Sequence, residues 1–278
     1  MTDDLPRDEA IRALFDTSGR GLEIGPSYNP IMPKHCGFQV EIVDHASTAE
    51  LRSKYANEPS VDESRIEEVD YIWDGRPLSD VVGKTNQYDY IVASHVIEHT
   101  PDLLGFLKEC DVMLKPTGVL VLAVPDKRRC FDLFRPLATT GNVLQAHFEE
   151  RRRHLPGTAF DHVAYFATVN GVVGWAKGTK GRICLQHHLS FAKAVFDRSV
   201  ASDDYFDFHA WVFTPSSFRM ILRDLNEIGV LAPSEILFQA MPGIEFIVTL
   251  GRSGAGCPYD RLSLLELTWK ELQESPSA

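Results

Sequence analysis

The chain has 278 residues, of which 44% are hydrophobic and 24% are charged. Both fractions are close to the globular average, which excludes a disordered chain, a collagen-like repeat and a small disulfide scaffold. Lysine and arginine number 28 against 39 aspartate and glutamate residues, so the formal net charge is −11. An acidic chain argues against a broad nucleic-acid-binding face, and we expect no nucleic-acid partner.

The sequence lacks the signals of membrane insertion and export. It has no run of about 18 apolar residues, so we expect no membrane span. The first residues are acidic and lack an apolar core, unlike a signal peptide. The five cysteines are scattered without a C-x-x-C pair, which indicates reduced thiols. These features predict a cytoplasmic protein.

Strands and helices alternate through the first part of the chain. Residues 20–25 form a short apolar run that closes on glycine, and residues 38–44 alternate apolar and polar side chains, so both segments predict strands. Residues 47–55 predict a helix. Residues 65–73 and 88–94 predict a third and a fourth strand.

A helix with clear boundaries and a fully apolar strand come next. Pro101 and Asp102 begin the helix, and Pro116 with Gly118 marks its end. Residues 119–124, with the sequence VLVLAV, are apolar throughout. A strand that is apolar on both faces belongs in the middle of a sheet covered by helices on both sides. The alternation therefore predicts a doubly wound parallel sheet.

The regular alternation stops after Pro125 and resumes near residue 213. Residues 214–228 predict a capped amphipathic helix, and residues 236–239 and 245–250 predict two closing strands. The predicted domains are the first part of the core (1–124), an inserted acceptor-binding region (125–212), the completed core (213–250) and a C-terminal amphipathic helix (251–278).

Acidic residues occur at the ends of the predicted strands. Residues 23–27 (EIGPS) close the first strand, where a glycine lets a ligand approach the backbone. The G-x-G-x-x-G and P-loop patterns are absent, which argues against a dinucleotide or a nucleoside triphosphate. Asp44 ends the second strand, where an acid can accept hydrogen bonds from a ribose diol. Asp74 follows the third strand and can accept from an exocyclic amine, beside the flat wall of Trp73.

The segment 88–100, YDYIVASHVIEHT, followed by 114–125, LKPTGVLVLAVP, resembles class I S-adenosylmethionine-dependent methyltransferases. The likeness is to the type 11 group, including enzymes that modify sugars and polysaccharides. It implies a Rossmann-like, mostly parallel seven-stranded sheet with a large insertion after the fifth strand, and S-adenosylmethionine as cofactor. It also implies cofactor-binding roles for Glu23, Gly25 and Ser27 at the methionine end, Asp44 at the ribose, Asp74 at the adenine, and Ser94 and His95 near the sulfonium.

The inserted region is expected to bind the acceptor, because ligands of open α/β sheets lie outside the carboxyl ends of the strands. It contains six of the ten histidines. Methyl transfer to a hydroxyl group needs a base near the acceptor oxygen, and histidine suits that role near neutral pH. We predict Asp161 and His162 as the catalytic pair, with the aspartate orienting the imidazole, and His209 as the second candidate.

Two polar segments of the insertion are candidates for recognising the acceptor. Asp126, Lys127 and Arg128 directly follow the fifth strand and are predicted to bind a sugar, a glycan or another polar small molecule. Residues 151–154, RRRH, fit either a phosphate of the acceptor or a solvated helix face.

Residues 95–99, HVIEH, also match the inverted zinc-protease pattern H-x-x-E-H. That pattern needs both histidines on one face of a sustained helix, together with a third ligand. Here the motif directly follows a strand and precedes Pro101, so only a short turn fits. We therefore predict no resident metal; a divalent ion that positions a diol is the alternative.

Two further functions fit the same sequence. One is a nicotinamide-dinucleotide-dependent oxidoreductase acting on a sugar-like substrate, which the missing G-x-G-x-x-G disfavours. The other is a non-catalytic binding module that retains the fold. In that case Leu262, Leu265 and Trp269 of the last helix would form a docking face for a partner or a homodimer.

Overall fold

The computed structural model describes residues 5–274 and 276. These residues form nine strands: β1 (Gly21–Ile24), β2 (Val40–Asp44), β3 (Tyr71–Ile72), β4 (Tyr88–Ser94), β5 (Leu114–Pro125), β6 (Ala167–Val169), β7 (Ile183–Leu185), β8 (Ser234–Ala240) and β9 (Glu245–Gly251). Strands β6 and β7 pair with each other, and the other seven strands form the central sheet.

The α-helices of the same residues are α1 (Arg7–Arg12), α2 (Thr48–Tyr55), α3 (Leu78–Val82), α4 (Leu103–Met113), α5 (Thr140–Phe148), α6 (Pro156–Ala164), α7 (Leu189–Ala201), α8 (Pro215–Glu227) and α9 (Arg261–Glu271). Side chains cap several of them; Asp102 accepts a 2.9 Å hydrogen bond from the backbone N–H of Gly105 at the start of α4. Within the described ranges, no helix has the length and apolar character needed to cross a membrane.

The central sheet has the strand order β3-β2-β1-β4-β5-β9-β8. Strands β1 to β5 pair in parallel, and β9 runs antiparallel to both of its neighbours. This arrangement confirms the predicted Rossmann-like, mostly parallel seven-stranded sheet. The direction of winding reverses between β1 and β4, and ligands of such sheets bind at the carboxyl ends of the strands beside that point.

The central position of β5 explains its uninterrupted apolar sequence. Leu120, Leu122 and Val124 belong to the hydrophobic core on one face of the sheet, whereas Val121 and Ala123 belong to the core on the other face. Because side chains alternate along a strand, both faces are removed from water. The strand is therefore buried on both sides, as its composition predicts.

The inserted segment between β5 and α8 contains α5, α6, α7 and the β6–β7 pair.

The third strand is shorter than predicted, because residues 63–65 form a 3-10 turn and only Tyr71 and Ile72 pair with β2. All five cysteines are free thiols, as predicted.

The last helix turns its predicted apolar face to solvent. Leu264 and Thr268 are the buried residues of α9. Leu262 and Trp269 are 66% and 69% exposed, respectively. The docking or homodimer role of this face stays a prediction.

Candidate functional site

A cleft of about 2040 Å³ lies at the carboxyl ends of the parallel strands. The core contributes residues 24–29, 43–45, 73–78 and 94–96 to its lining. The inserted segment contributes His147, residues 149–153, Leu155, Asp203, Tyr205 and Asp207. One cleft therefore joins the predicted cofactor residues to part of the predicted acceptor region.

The loop after β1 is preformed at the edge of this cleft. Gly25 has a φ of 66° and Ser27 a φ of 50°, so the chain turns sharply directly after the strand. The backbone N–H of Ser27 donates to Oδ2 of Asp44 at 2.8 Å, and the Ser27 hydroxyl donates to the hydroxyl of Tyr55 at 3.0 Å. The ends of β1 and β2 are thereby fixed to each other.

Glu23 hydrogen-bonds the backbone that follows this loop and does not line the cleft. Its two carboxylate oxygens accept hydrogen bonds from the backbone N–H groups of Ile31 at 2.6 Å and Met32 at 2.9 Å. Burial raises the pKa of Glu23 to about 7. Glu23 therefore holds the backbone of residues 31–32 in this structure, and its contact with the methionine end of the cofactor stays a prediction.

Asp44 lines the cleft at the end of β2, as predicted. Its Oδ1 accepts from the backbone N–H of His45 at 2.8 Å and lies 2.6 Å from Nδ1 of the same residue. Its Oδ2 accepts from Ser27 alone among the described residues. A carboxylate oxygen can accept two hydrogen bonds, so Oδ2 retains acceptor capacity for a hydroxyl group.

Trp73 and Asp74 also line the cleft beside Asp44. The indole N–H of Trp73 donates to the carbonyl of Arg76 at 2.9 Å, and its ring packs 6.1 Å from the ring of Phe106. Asp74 is half exposed and pairs with Arg76 at 2.9 Å. The aromatic wall and the exposed carboxylate have the chemistry that an adenine base requires.

Ser94 and His95 lie at the end of β4, where predicted, and both are bonded to other side chains. Arg7 donates to the Ser94 hydroxyl at 2.6 Å and to Glu245 at 2.6 Å. Nε2 of His95 lies 2.8 Å from Glu245. Burial lowers the pKa of His95, but the hydrogen bond to Glu245 and the nearby carboxylate of Glu98 outweigh it and raise the pKa to about 9. Sequence reasoning missed Arg7 and Glu245, since no local pattern connects residues so far apart.

Three histidines surround one buried carboxylate beside these residues. We call His95, Glu98, His99 and His209 the histidine–carboxylate cluster. Oε1 of Glu98 lies 3.5 Å from Nδ1 of His95, 3.9 Å from Nε2 of His99 and 4.0 Å from Nε2 of His209. Glu98 is fully buried, and neither of its oxygens has a hydrogen-bond partner in residues 5–274 and 276.

Each histidine of the cluster directs its other ring nitrogen to a second carboxylate. The partners are Glu245 for His95 at 2.8 Å, Asp207 for His99 at 2.7 Å and Asp132 for His209 at 2.5 Å. Burial raises the pKa of Glu98, but the three imidazoles outweigh it and hold the pKa below its usual value. The carboxylates of Glu245, Asp207 and Asp132 fix the orientation of the three imidazole rings.

The predicted pair of Asp161 and His162 does not form. The two side chains are not hydrogen-bonded to each other, because neighbouring positions on helix α6 point in different directions. Nδ1 of His162 instead accepts from the backbone N–H of His209 at 3.2 Å, and burial lowers the pKa of His162 to about 3. His162 lines a separate cavity of about 280 Å³. His209 itself is oriented by Asp132.

Asp126, Lys127 and Arg128 do not line the cleft either. Asp126 is buried and forms an ion pair at 2.6 Å with the partly buried Arg128, which also contacts Glu274 at 2.9 Å. Lys127 is buried, which lowers its pKa. Asp126 and Arg128 are thus paired with other protein groups in this structure, and acceptor binding by the three residues stays a prediction.

The chain matches a sequence family described as a methyltransferase domain over residues 3–170, which is more than half of its length. The chain belongs to this methyltransferase domain family. The assignment confirms the predicted enzyme class and, with it, S-adenosylmethionine as cofactor. It favours this function over a nicotinamide-dependent oxidoreductase and over a non-catalytic module.

Several solved structures are similar to this chain at low sequence identity. The CMeT domain of the citrinin polyketide synthase is 12% identical, with a TM-score of 0.40 over 85% of this chain and 47% of that chain. This chain therefore spans about half of that protein's length. A SAM-dependent methyltransferase from Methanosarcina mazei is 14% identical, with a TM-score of 0.44 over 89% of this chain and 97% of that one. A SAM-dependent methyltransferase from Thermotoga maritima, described as a possible histamine N-methyltransferase, is 14% identical, with a TM-score of 0.43 over 88% and 87% of the two chains. No curated protein matches the sequence.

Proposed function

We propose that this methyltransferase transfers the methyl group of S-adenosylmethionine to an oxygen of a polar small molecule, such as a sugar or a glycan unit. The bound cofactor supplies an electrophilic methyl group. The residues proposed to hold it are the backbone of Gly25 and Ser27, the free acceptor position of Asp44, the carboxylate of Asp74 and the face of Trp73. Their donors, acceptors and aromatic surface fit an amino-acid-bearing nucleoside.

One observation carries the proposal. The cofactor residues at the ends of β1, β2 and β3 line the same cleft as His95 and His99 of the histidine–carboxylate cluster. Direct methyl transfer needs the acceptor oxygen and the methyl carbon to be held together in line. A single cleft with cofactor-type groups in one part and a buried proton-accepting cluster in another supports that requirement.

The cluster is the proposed place at which the acceptor hydroxyl loses its proton. His99 lines the cleft, and Asp207 fixes its ring through Nδ1. Of the histidines predicted to be catalytic, His209 belongs to the cluster, whereas His162 lies in a separate cavity. We therefore assign the histidine chemistry of the reaction to the cluster rather than to Asp161 and His162.

Arginines at the cleft support an acceptor that carries a negative charge. Arg151 pairs with Glu149 and Arg153 pairs with Asp203, but Arg152 is exposed and has no ion pair within the described part of the chain. A guanidinium group is well suited to a phosphate. A sugar phosphate or nucleotide-linked sugar is therefore the proposed class of acceptor.

The function is tested with methyl-labelled S-adenosylmethionine and a panel of neutral sugars, sugar phosphates, nucleotide sugars and amines. We expect label on a hydroxyl oxygen of a phosphorylated or nucleotide-linked sugar. Label found on amines alone would contradict oxygen transfer. Absence of S-adenosylmethionine binding in calorimetry would contradict the proposed cofactor site.

A further inference from the structure

The structure assigns a second ligand to the cluster: we propose that Glu98, His99 and His209 bind a divalent transition-metal ion. One ligand atom from each residue lies within 4.8 Å of the other two. This site replaces the expectation of no resident metal. Binding of the ion is independent of the proposed function; only its role toward the acceptor depends on it.

The hydrogen bonds of the two histidines are those of metal ligands. His99 and His209 each use Nδ1 to contact a carboxylate, Asp207 and Asp132 respectively, and point Nε2 toward Glu98. Histidines that bind metals usually donate their second N–H to a carboxylate in this way, which fixes the tautomer and makes the other nitrogen a better ligand.

A simple ion-pair network does not explain the spacing as well. If Glu98 were only the partner of protonated histidines, charge-assisted hydrogen bonds of about 2.7–2.9 Å would be expected. Instead His99 and His209 make their short contacts with the outer carboxylates, and their Nε2 atoms lie 3.9 Å and 4.0 Å from Oε1 of Glu98. Both oxygens of this fully buried side chain lack hydrogen-bond partners among the described residues. A buried carboxylate without hydrogen bonds is costly, and a cation among the three side chains would compensate it.

The donor atoms indicate the kind of ion. Two imidazole nitrogens and one carboxylate oxygen suit zinc or iron(II) better than magnesium or calcium, which prefer oxygen ligands. Ligand atoms about 2.0–2.1 Å from a tetrahedral ion lie about 3.4 Å apart. The two Nε2 atoms, which lie 3.9 Å and 4.0 Å from Oε1 of Glu98, therefore need to approach it by about half an ångström.

Three protein ligands leave a coordination position free, as in catalytic zinc sites. Because His99 lines the cleft, a molecule in the cleft can reach that position. An ion there would bind the acceptor's hydroxyl oxygen and lower its pKa. The cluster would then act on the acceptor through the ion instead of serving directly as the base.

The experiment uses the full chain after treatment with a chelator and dialysis. Zn²⁺ binding is titrated by calorimetry, metal content is measured by elemental analysis, and Co²⁺ is added as a visible-absorption probe. We expect one ion per chain. Glu98→Gln and His209→Gln should lose at least about 10- to 100-fold in affinity, the loss that is typical when an outer-shell partner of a metal ligand is removed. His35→Gln is the matched control, because His35 is exposed and, among the residues that the structure describes, pairs only with Glu67; it should bind Zn²⁺ like the wild type.

Circular dichroism establishes that each variant is folded, and His99→Gln replaces any variant that is not. Absence of Zn²⁺ and Co²⁺ binding to the wild type, or equal affinity in wild type and folded variants, would overturn the site. S-adenosylmethionine affinity is measured on the same chelated protein. Retained cofactor binding without metal binding removes only the metal site, whereas metal binding without cofactor binding removes only the proposed function.

Discussion

The candidate site has two parts, the proposed cofactor residues at the ends of β1 to β3 and the histidine–carboxylate cluster, and they are built in different ways. In the cofactor part, the key contacts join the ends of neighbouring strands; Ser27 and Asp44 are 17 residues apart in sequence. In the histidine–carboxylate cluster, the contacts join the turn after β4 to the insertion; His99 and Asp207 are 108 residues apart. The first arrangement follows from the topology of the sheet, whereas the second depends on how one long insertion packs onto it.

The two parts also differ in how their polar groups are satisfied. Asp44 is buried but accepts hydrogen bonds from Ser27 and His45. The side chain of Glu98 is buried, and neither of its carboxylate oxygens has a hydrogen-bond partner in the described residues. A buried acceptor left unpaired costs about 1–3 kcal/mol, so such a group persists where a ligand or a reaction uses it. Under the proposed function, we therefore expect substitutions in the first part to change cofactor affinity and substitutions in the second part to change turnover.

The largest expected effect is on catalysis in the cluster. Glu98→Gln should lower kcat at least about 100-fold, because it removes the central charge of the cluster. The dissociation constant for S-adenosylmethionine should change little, since Glu98 is not among the cofactor residues. Steady-state kinetics and calorimetry measure the two quantities, with Glu266→Gln on the exposed surface of α9 as the control. A parallel loss of cofactor affinity would show that the two parts are not separable.

The next effect is the converse change in the cofactor part. Asp44→Ala should weaken S-adenosylmethionine binding by about 10- to 100-fold, because it removes the ribose acceptor and the hydrogen bond that holds the Ser27 backbone. Calorimetry of the free enzyme gives the affinity. Unchanged affinity in a folded Asp44→Ala protein would exclude the ribose role.

A smaller effect is expected at the acceptor end. Arg152→Ala should raise KM for a phosphorylated acceptor about 10-fold, because the guanidinium pairs with the phosphate, and leave kcat nearly unchanged. The same variant should not alter KM for an uncharged acceptor. An equal rise for charged and neutral acceptors would point to a change in local structure instead of a lost phosphate contact.

The smallest effect lies outside both parts, at Glu41. Burial raises the pKa of Glu41, but hydrogen bonds from Lys84 and Tyr88 outweigh it and lower the pKa to about 2. Because the folded-state pKa is depressed, this carboxylate stabilises the fold fully above its unfolded pKa of about 4.5. That contribution is lost as the pH falls from there through about 2.

Urea unfolding at several pH values across that acidic range measures the dependence. The wild type should lose stability on acidification more steeply than Glu41→Gln. Identical pH dependence of the two proteins would contradict the depressed pKa. Activity near neutral pH should be unaffected by the substitution, because Glu41 does not line the cleft.

Much of the site could be predicted because it follows strand ends. The positions of Asp44, Asp74 and Ser94 at the cleft follow from the alternating pattern and the known chirality of parallel sheets. The hydrogen bonds of Glu23 and the ion pairs of Asp126 and Arg128 could not be predicted. Whether a charged side chain points into a cleft or into a buried ion pair depends on partners such as Ile31 and Glu274, which no local pattern identifies.

The sequence by itself determined the fold class, the central place of β5 and the family, because hydrophobic periodicity and short motifs are local properties. It also predicted that residues 95–99, HVIEH, form only a short turn after a strand, and residues 97–99 do form a 3-10 turn. Only the tertiary structure decided that His209, with Asp132 behind it, completes this motif. Side chains more than a hundred residues apart in sequence meet through the packing of the whole chain. Their spacing in the sequence does not show that they are close in space.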